Sequence, residues 1–109
     1  MTTWKEEKVG NETYLSRSLT FKDFAEAFAF LTYVAMIAEK HNHHPHIYNV
    51  YNRVDLRLTT HDAGYTITEK DLRLAAEIDK YIKNFSLLFY LPTQNEFRLD
   101  SFYSFLIYW

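Results

Sequence analysis

The chain has no cysteine, only two glycines and two prolines, and no excess of charge of either sign. Without cysteine, disulfide scaffolds, zinc ribbons and thiol nucleophiles are excluded. Nothing in the chain calls for an oxidising compartment, so a cytosolic setting is the default expectation. No apolar run reaches about 18 residues, so no membrane span is expected. The opening stretch MTTWKEEKVG has no apolar signal core and no targeting pattern. Twelve basic residues stand against fourteen acidic ones, a formal net charge of −2. That balance lacks the clustered basic face by which nucleic-acid binders are recognised. No repeat and no low-complexity linker is present.

What is present is apolar material for one core. Hydrophobic residues make up 48% of 109 residues, enough for a single domain. Residues 4–9 and 13–19 flank a Gly10-Asn11 turn signal and read as a β-hairpin. Thr20 and Asp23 then form a capping-box-like pair, with Leu19 and Phe24 placed as a hydrophobic staple. Phe24, Phe28, Leu31, Ala35 and Ala38 recur at helical spacing and predict a helix over 21–41. Pro45 forces His44 out of helical conformation and closes that helix. His46–Val50 reads as a strand, and 51–60 as a second, in which Val54, Leu56 and Leu58 alternate with Arg53, Asp55 and Arg57. The run from His61 to Gly64 reads as a loop. Thr68 and Asp71 make another capping-box-like start, and Leu74, Ile78, Tyr81 and Phe85 predict a helix over 69–83, with Leu72, Ala75, Ala76 and Ile82 beside that stripe.

The expected fold is therefore α+β. A four-stranded antiparallel sheet carries both helices on one face, in the order β-β-α-β-β-α. Residues 1–83 are expected to form this domain. Residues 84–109 form an atypical aromatic C-terminal extension, holding nine of the chain's twenty aromatics. Such a tail should pack on the domain or on a second subunit, because exposed it would aggregate.

The histidines are unevenly placed. His41, His43, His44 and His46 fall within EKHNHHPHIYN, and His61 follows the second strand. Metal binding is the weakest reading. Adjacent residues in an extended segment point to opposite sides, so His43 and His44 share an ion poorly, and no H-E-x-x-H helix occurs. No metal and no cofactor is expected. Acid–base chemistry is sharper, because imidazole titrates near neutral pH and can give or take a proton. A helix C-terminus favours the charged imidazole at His43 or His44, and His61 could face them across a pocket. Against this stands a plain alternative of equal weight, surface histidines that bond to turns. Glu39 could orient a histidine or be a solvated helix carboxylate. Asp62 could orient His61 or bond its own backbone. Tyr48 and Tyr51 could line a pocket or serve cross-strand packing.

A resemblance separates these readings. Glu39, His43, His44, Pro45, Tyr51, Asn52, Thr60, His61, Asp62, Gly64, Thr68, Asp71, Leu74 and Ala75 reproduce the pattern E-x-x-x-H-H-P, Y-N, T-H-D-x-G, T-x-x-D and L-A. Over about residues 4–82 the chain resembles the pterin-4a-carbinolamine dehydratase family. The resemblance implies an α+β fold and a homodimer or homotetramer. It implies a hydro-lyase that removes water from a 4a-hydroxytetrahydropterin to give a quinonoid dihydropterin, in tetrahydrobiopterin recycling. It places His43, His44 and His61 around the pterin, with His43 and His61 as acid and base and His44 binding or polarising the substrate. Glu39, Pro45, Thr60 and Asp62 are implied to position or shape the substrate site. His41 and His46 lie outside the pattern and are expected to be incidental. The competing implication is a protein-binding module, since some animal members act as dimerisation cofactor of a transcription regulator. The chain departs from the family at GYTIT, where one residue is added and Tyr65 replaces a glycine. It departs again at Ile47, where an aromatic is usual, and in the tail.

Overall fold

The structure, a computed structural model, describes residues 3–89 and the side chains through Asn84. Its elements are β1 (Lys5–Val9), β2 (Glu12–Thr20), α1 (Phe24–His41), β3 (His46–Val50), β4 (Arg53–Leu58), a single 3-10 turn (His61–Ala63) and α2 (Glu69–Phe89). The strands form one antiparallel sheet in the order β1-β2-β4-β3. The α+β expectation and its element order hold. Contacts divide the chain into two units, 1–78 and 79–109. The first holds the sheet, α1 and the opening turns of α2. Of the second, the described part is the rest of α2. The expected aromatic extension lies outside the described residues from 90 onward. Among the described residues no helix is long and apolar enough to cross a membrane.

The sheet sorts its two faces by strand register. Leu15, Arg17 and Leu19 of β2 pair with Leu58, Leu56 and Val54 of β4, so all six share one face. Val54, Leu56 and Leu58 have no exposed surface, nor do Phe30 and Val34 of α1 or Leu74 and Ile78 of α2. Burying such side chains contributes about 1.5–3 kcal/mol each. Arg17 is buried on this face with its guanidinium 5.9 Å from the Trp4 ring centroid. The opposite face bears Tyr14, Ser16, Ser18, His46, Tyr48, Arg53, Asp55 and Arg57.

The structure corrects several boundaries. α1 begins at Phe24, not at 21, because Thr20 still pairs with Arg53 in the sheet. Its cap is Asp23, whose carboxylate accepts from the Glu26 amide, and not Thr20. Glu26 in turn accepts from the Lys22 amide, which ties the entry turn from both ends. Tyr51 and Asn52 are a tight turn rather than the start of a strand; Tyr51 has φ 49°, and the Asn52 side chain donates to the Phe21 carbonyl. α2 runs six residues past the expected 83, consistent with the absence of Gly and Pro before Pro92.

The helix stripes need correction too. Phe24 and Phe28 are half exposed and Ala35 is exposed. Leu31 and Ala38 of the expected stripe are buried, and with them α1 buries Ala27, Ala29, Phe30, Val34 and Ile37. Leu72 and Ala76 of α2 also face out.

Candidate active site

α1 ends in a left-handed residue. Asn42 has φ 51°, its amide donates to the Glu39 carbonyl, and the His43 amide donates to the Ala38 carbonyl. These two bonds are a Schellman cap, and asparagine is one of the few residues that accepts its left-handed position. The cap reverses the chain immediately before His43. His43 Nε2 then donates to Asp71 Oδ1 at 2.6 Å.

Asp71 belongs to the first turn of α2 and has no exposed surface. Its other oxygen, Oδ2, accepts from the Thr68 amide at 2.8 Å and from the Thr60 hydroxyl at 2.7 Å. Thr60 and Thr68 also share a hydroxyl hydrogen bond of 2.6 Å. A buried carboxylate is costly unless its acceptors are filled. Here both oxygens are used, and the bonds join the end of α1, the segment after β4 and the start of α2.

His44, one residue on, is arranged differently. Its Nε2 is 2.7 Å from Glu39 Oε1, and both side chains are more than half exposed.

His61 sits in the 3-10 turn after β4. The loop around it is held down despite its exposure. Thr60 and Thr66 bridge, the Tyr65 amide donates to the Thr60 carbonyl, and the Thr13 amide donates to the Tyr65 carbonyl. The Thr59 hydroxyl donates to the Thr13 carbonyl. Gly64, with φ 75°, makes the turn a side chain would strain.

These segments bound a cavity of about 240 Å³ lined by Asn42, His43, His44, Thr59, Thr60, His61, Asp62 and Lys70. All three expected catalytic histidines are brought together there, with Thr60 and Asp62. Glu39 stands behind His44, and Pro45 is not among the lining residues. A larger groove of about 650 Å³ crosses the open sheet face. Four of its charged side chains form ion pairs, Arg57 with Glu7 and Arg53 with Asp55. Of the histidines only His46 reaches that groove, whereas the smaller cavity gathers His43, His44 and His61. Among the described residues no group of three or more His, Asp and Glu side chains is placed to hold a metal ion.

Two functional placements escaped sequence reasoning. Asp71 reads as a helix-capping residue, which it is, but its second oxygen is free to hold His43. Its spacing to Thr68 was visible; its reach to a histidine 28 residues earlier was not. His46, expected to be incidental, lies with its Nε2 3.5 Å from His61 Nε2.

A capped α+β fold thus presents three imidazoles to one polar cavity. The profile of the family Pterin 4 alpha carbinolamine dehydratase matches residues 1–81, and the chain belongs to that family. A protein of Rhizorhabdus wittichii provisionally named pterin-4-alpha-carbinolamine dehydratase is 57% identical over 65 residues, 60% of this chain and 66% of that one. One of Burkholderia pseudomallei with the same provisional name is 54% identical over 70 residues, 64% of this chain and 68% of that one. These matches thus span about two thirds of the relatives' length. Among solved structures, a transcriptional coactivator/pterin dehydratase from Brucella melitensis superposes with a TM-score of 0.62 at 41% identity, covering 69% of this chain and 79% of that one. A pterin dehydratase-like protein described as a RuBisCO assembly factor in the alpha-carboxysome superposes at 0.60 with 25% identity, covering 72% and 87%.

Proposed function

We propose that the chain is a hydro-lyase that converts a 4a-hydroxytetrahydropterin to quinonoid dihydropterin and water, in tetrahydrobiopterin recycling. The observation that carries this reading is the convergence of His43, His44 and His61 on one cavity. The reaction breaks the C4a–O bond and the N5–H bond and forms the C4a–N5 double bond. One imidazole takes the N5 proton; a protonated one gives a proton to the leaving hydroxyl, which departs as water. No electron leaves the substrate, so imidazoles suffice as the acid and base. His43 and His61 are assigned these two tasks. Asp71 orients His43 through Nε2, which leaves Nδ1 as its working nitrogen. His44, backed by Glu39, binds or polarises the pterin. Lys70, Thr60 and Asp62 shape the polar wall. Residues 1–83 carry the reaction, in a cytoplasmic homodimer or homotetramer, and 84–109 are an extension to that domain.

The test is dehydration of freshly generated 4a-hydroxytetrahydropterin, followed by absorbance. The wild type accelerates it, and His61→Ala lowers that acceleration by about two decades. A folded wild type without acceleration would overturn the reading. The second reading, a protein-binding module, is favoured by the exposed apolar side of α1 with Phe24, Phe28 and Met36 and by the coactivator and assembly-factor titles of the structural relatives. A stable complex with a regulatory protein, unchanged when His43, His44 and His61 are all replaced, would establish it.

A further inference from the structure

His61 does not stand alone on its turn. Its ring centroid lies 5.7 Å from that of His46 with the planes at 81°, and 4.8 Å from that of Tyr65 at 44°. His46 is itself met edge-on by Tyr14, at 5.9 Å and 76°. The result is a row of four rings, Tyr14–His46–His61–Tyr65, drawn from β2, β3, the 3-10 turn and the following loop. Edge-to-face and tilted contacts at these distances are favourable and directional.

Neither ring beside His61, that of His46 or that of Tyr65, belongs to the motif that carries the family resemblance. Tyr65 holds φ 62°, a left-handed conformation that glycine adopts freely and a tyrosine does not. A strained non-glycine residue beside a reactive group points to a role for its side chain. The Tyr65 main chain is pinned on both sides, its amide to Thr60 and its carbonyl to Thr13. The ring is therefore presented to His61 from a fixed base. Tyr14 is likewise anchored. Its hydroxyl donates to Glu12, and the Arg57 guanidinium lies 5.6 Å from its ring centroid.

We propose that His46 is a positioning residue for His61, fixing that ring's orientation and its tautomer through an Nε2···Nε2 hydrogen bond, with Tyr65 packing the ring from the loop. One proton serves two nitrogens in such a pair, so whichever ring donates, the other must accept. With Nε2 of His61 engaged, Nδ1 is the nitrogen left for substrate, and its state is set by the partner's. At 3.5 Å the contact is long for N–H···N. Catalytic hydrogen bonds of this kind tighten when substrate fills the site. The position of His46 also explains why a histidine outside the motif faces the reactive loop while His41 instead approaches Glu77, at 3.8 Å.

The consequence for rate rests on the dehydratase reading; the pairing itself does not. The experiment therefore has two readouts on the full chain. The first is the nitrogen-15 spectrum of the His61 ring at about pH 8, where an ordinary imidazole is neutral. In the wild type one tautomer dominates. In His46→Ala the two nitrogen signals move toward the averaged values of a freely exchanging ring. In His46→Gln, whose amide can stand at the Nε2 position as donor or acceptor, they return toward wild type. The second readout is steady-state dehydration. His46→Ala lowers kcat about tenfold with KM within about twofold, and His46→Gln recovers most of the loss. His46 is exposed, so both variants are expected to fold, and the amide spectrum away from the site checks this. His61 nitrogen signals unchanged in folded His46→Ala would overturn the pairing. Changed signals with kcat unaltered would overturn the positioning role. If the wild type has no dehydratase activity, the functional reading fails, and the nitrogen signals alone decide the pairing.

Discussion

His43 and His44 are neighbours in the chain, and each meets a carboxylate at nearly the same distance, 2.6 and 2.7 Å. Their surroundings differ completely. The His43 side chain is 10% exposed against an Asp71 that is fully buried; His44 is 56% exposed against a Glu39 at 80%. Water and salt screen the outer pair, which pays side-chain entropy to hold two exposed groups together. The inner pair is screened little and is tied to Thr60 and Thr68. A distance alone therefore says little about what a pair does. The inner contact orients an imidazole and joins three segments of the fold, whereas the outer one biases a side chain that water can also satisfy.

The sharpest way to break this contrast is Asp71→Asn. The amide cannot accept at both positions, so His43, Thr60 or the Thr68 amide loses its partner. Stability should fall by about 1–3 kcal/mol, read from urea unfolding, and kcat should fall at least about tenfold. Wild-type values in both would mean that the inner pair is no more than a surface contact. Glu39→Gln should change stability by no more than about 1 kcal/mol and kcat by a few-fold. Its effect should shrink further in about 1 M salt, where the screening length is about 3 Å. A large, salt-insensitive loss would place the outer pair beside the inner one.

Asp55 supplies a third, milder carboxylate. Burial pushes its carboxyl up, but hydrogen bonds from Ser18 and Arg53 and the charges of Arg53 and Arg57 outweigh that and hold it below its ordinary value. A lowered folded value means that its contribution to stability is present above the unfolded carboxylate range. That contribution is lost as pH falls through the folded value. Asp55→Asn should therefore be slightly less stable than wild type near pH 7, and the difference should vanish in acid. Urea midpoints across that range would measure it, and a gap that widened in acid would reverse the sign.

Much of the fold was legible from period and punctuation. Alternation at Val54, Leu56 and Leu58 located a strand and its buried face correctly, because side chains in a strand have only two sides to choose from. α1 was located by the same means, but its buried face only in part: Leu31 and Ala38 are buried, whereas Phe24, Phe28 and Ala35 are not. Apolar residues occur on both sides of that helix, and spacing cannot say which side meets the sheet. Phe28 and Phe30 are equally hydrophobic; one is half exposed and the other has no exposed surface. Thr20 failed as a cap for a related reason. A threonine ahead of a helix is a plausible cap until a neighbouring strand claims its backbone.

The site was legible as residue types and not as a circuit. His43, His44 and His61 stood out by clustering and by motif. That Asp71 would serve His43, and that His46 would meet His61, required a sheet register and a helix cap to bring distant positions together.

By itself the sequence determined the elements, their order and the imidazoles available for proton transfer, because local periodicity, turn chemistry and side-chain identity act within a few residues. The tertiary structure decided which helix face is buried, which histidine is held in a buried pair and which in an exposed one, and which side chain each imidazole meets. Those outcomes depend on contacts between residues far apart in the chain, and on the exclusion of water that only packing produces.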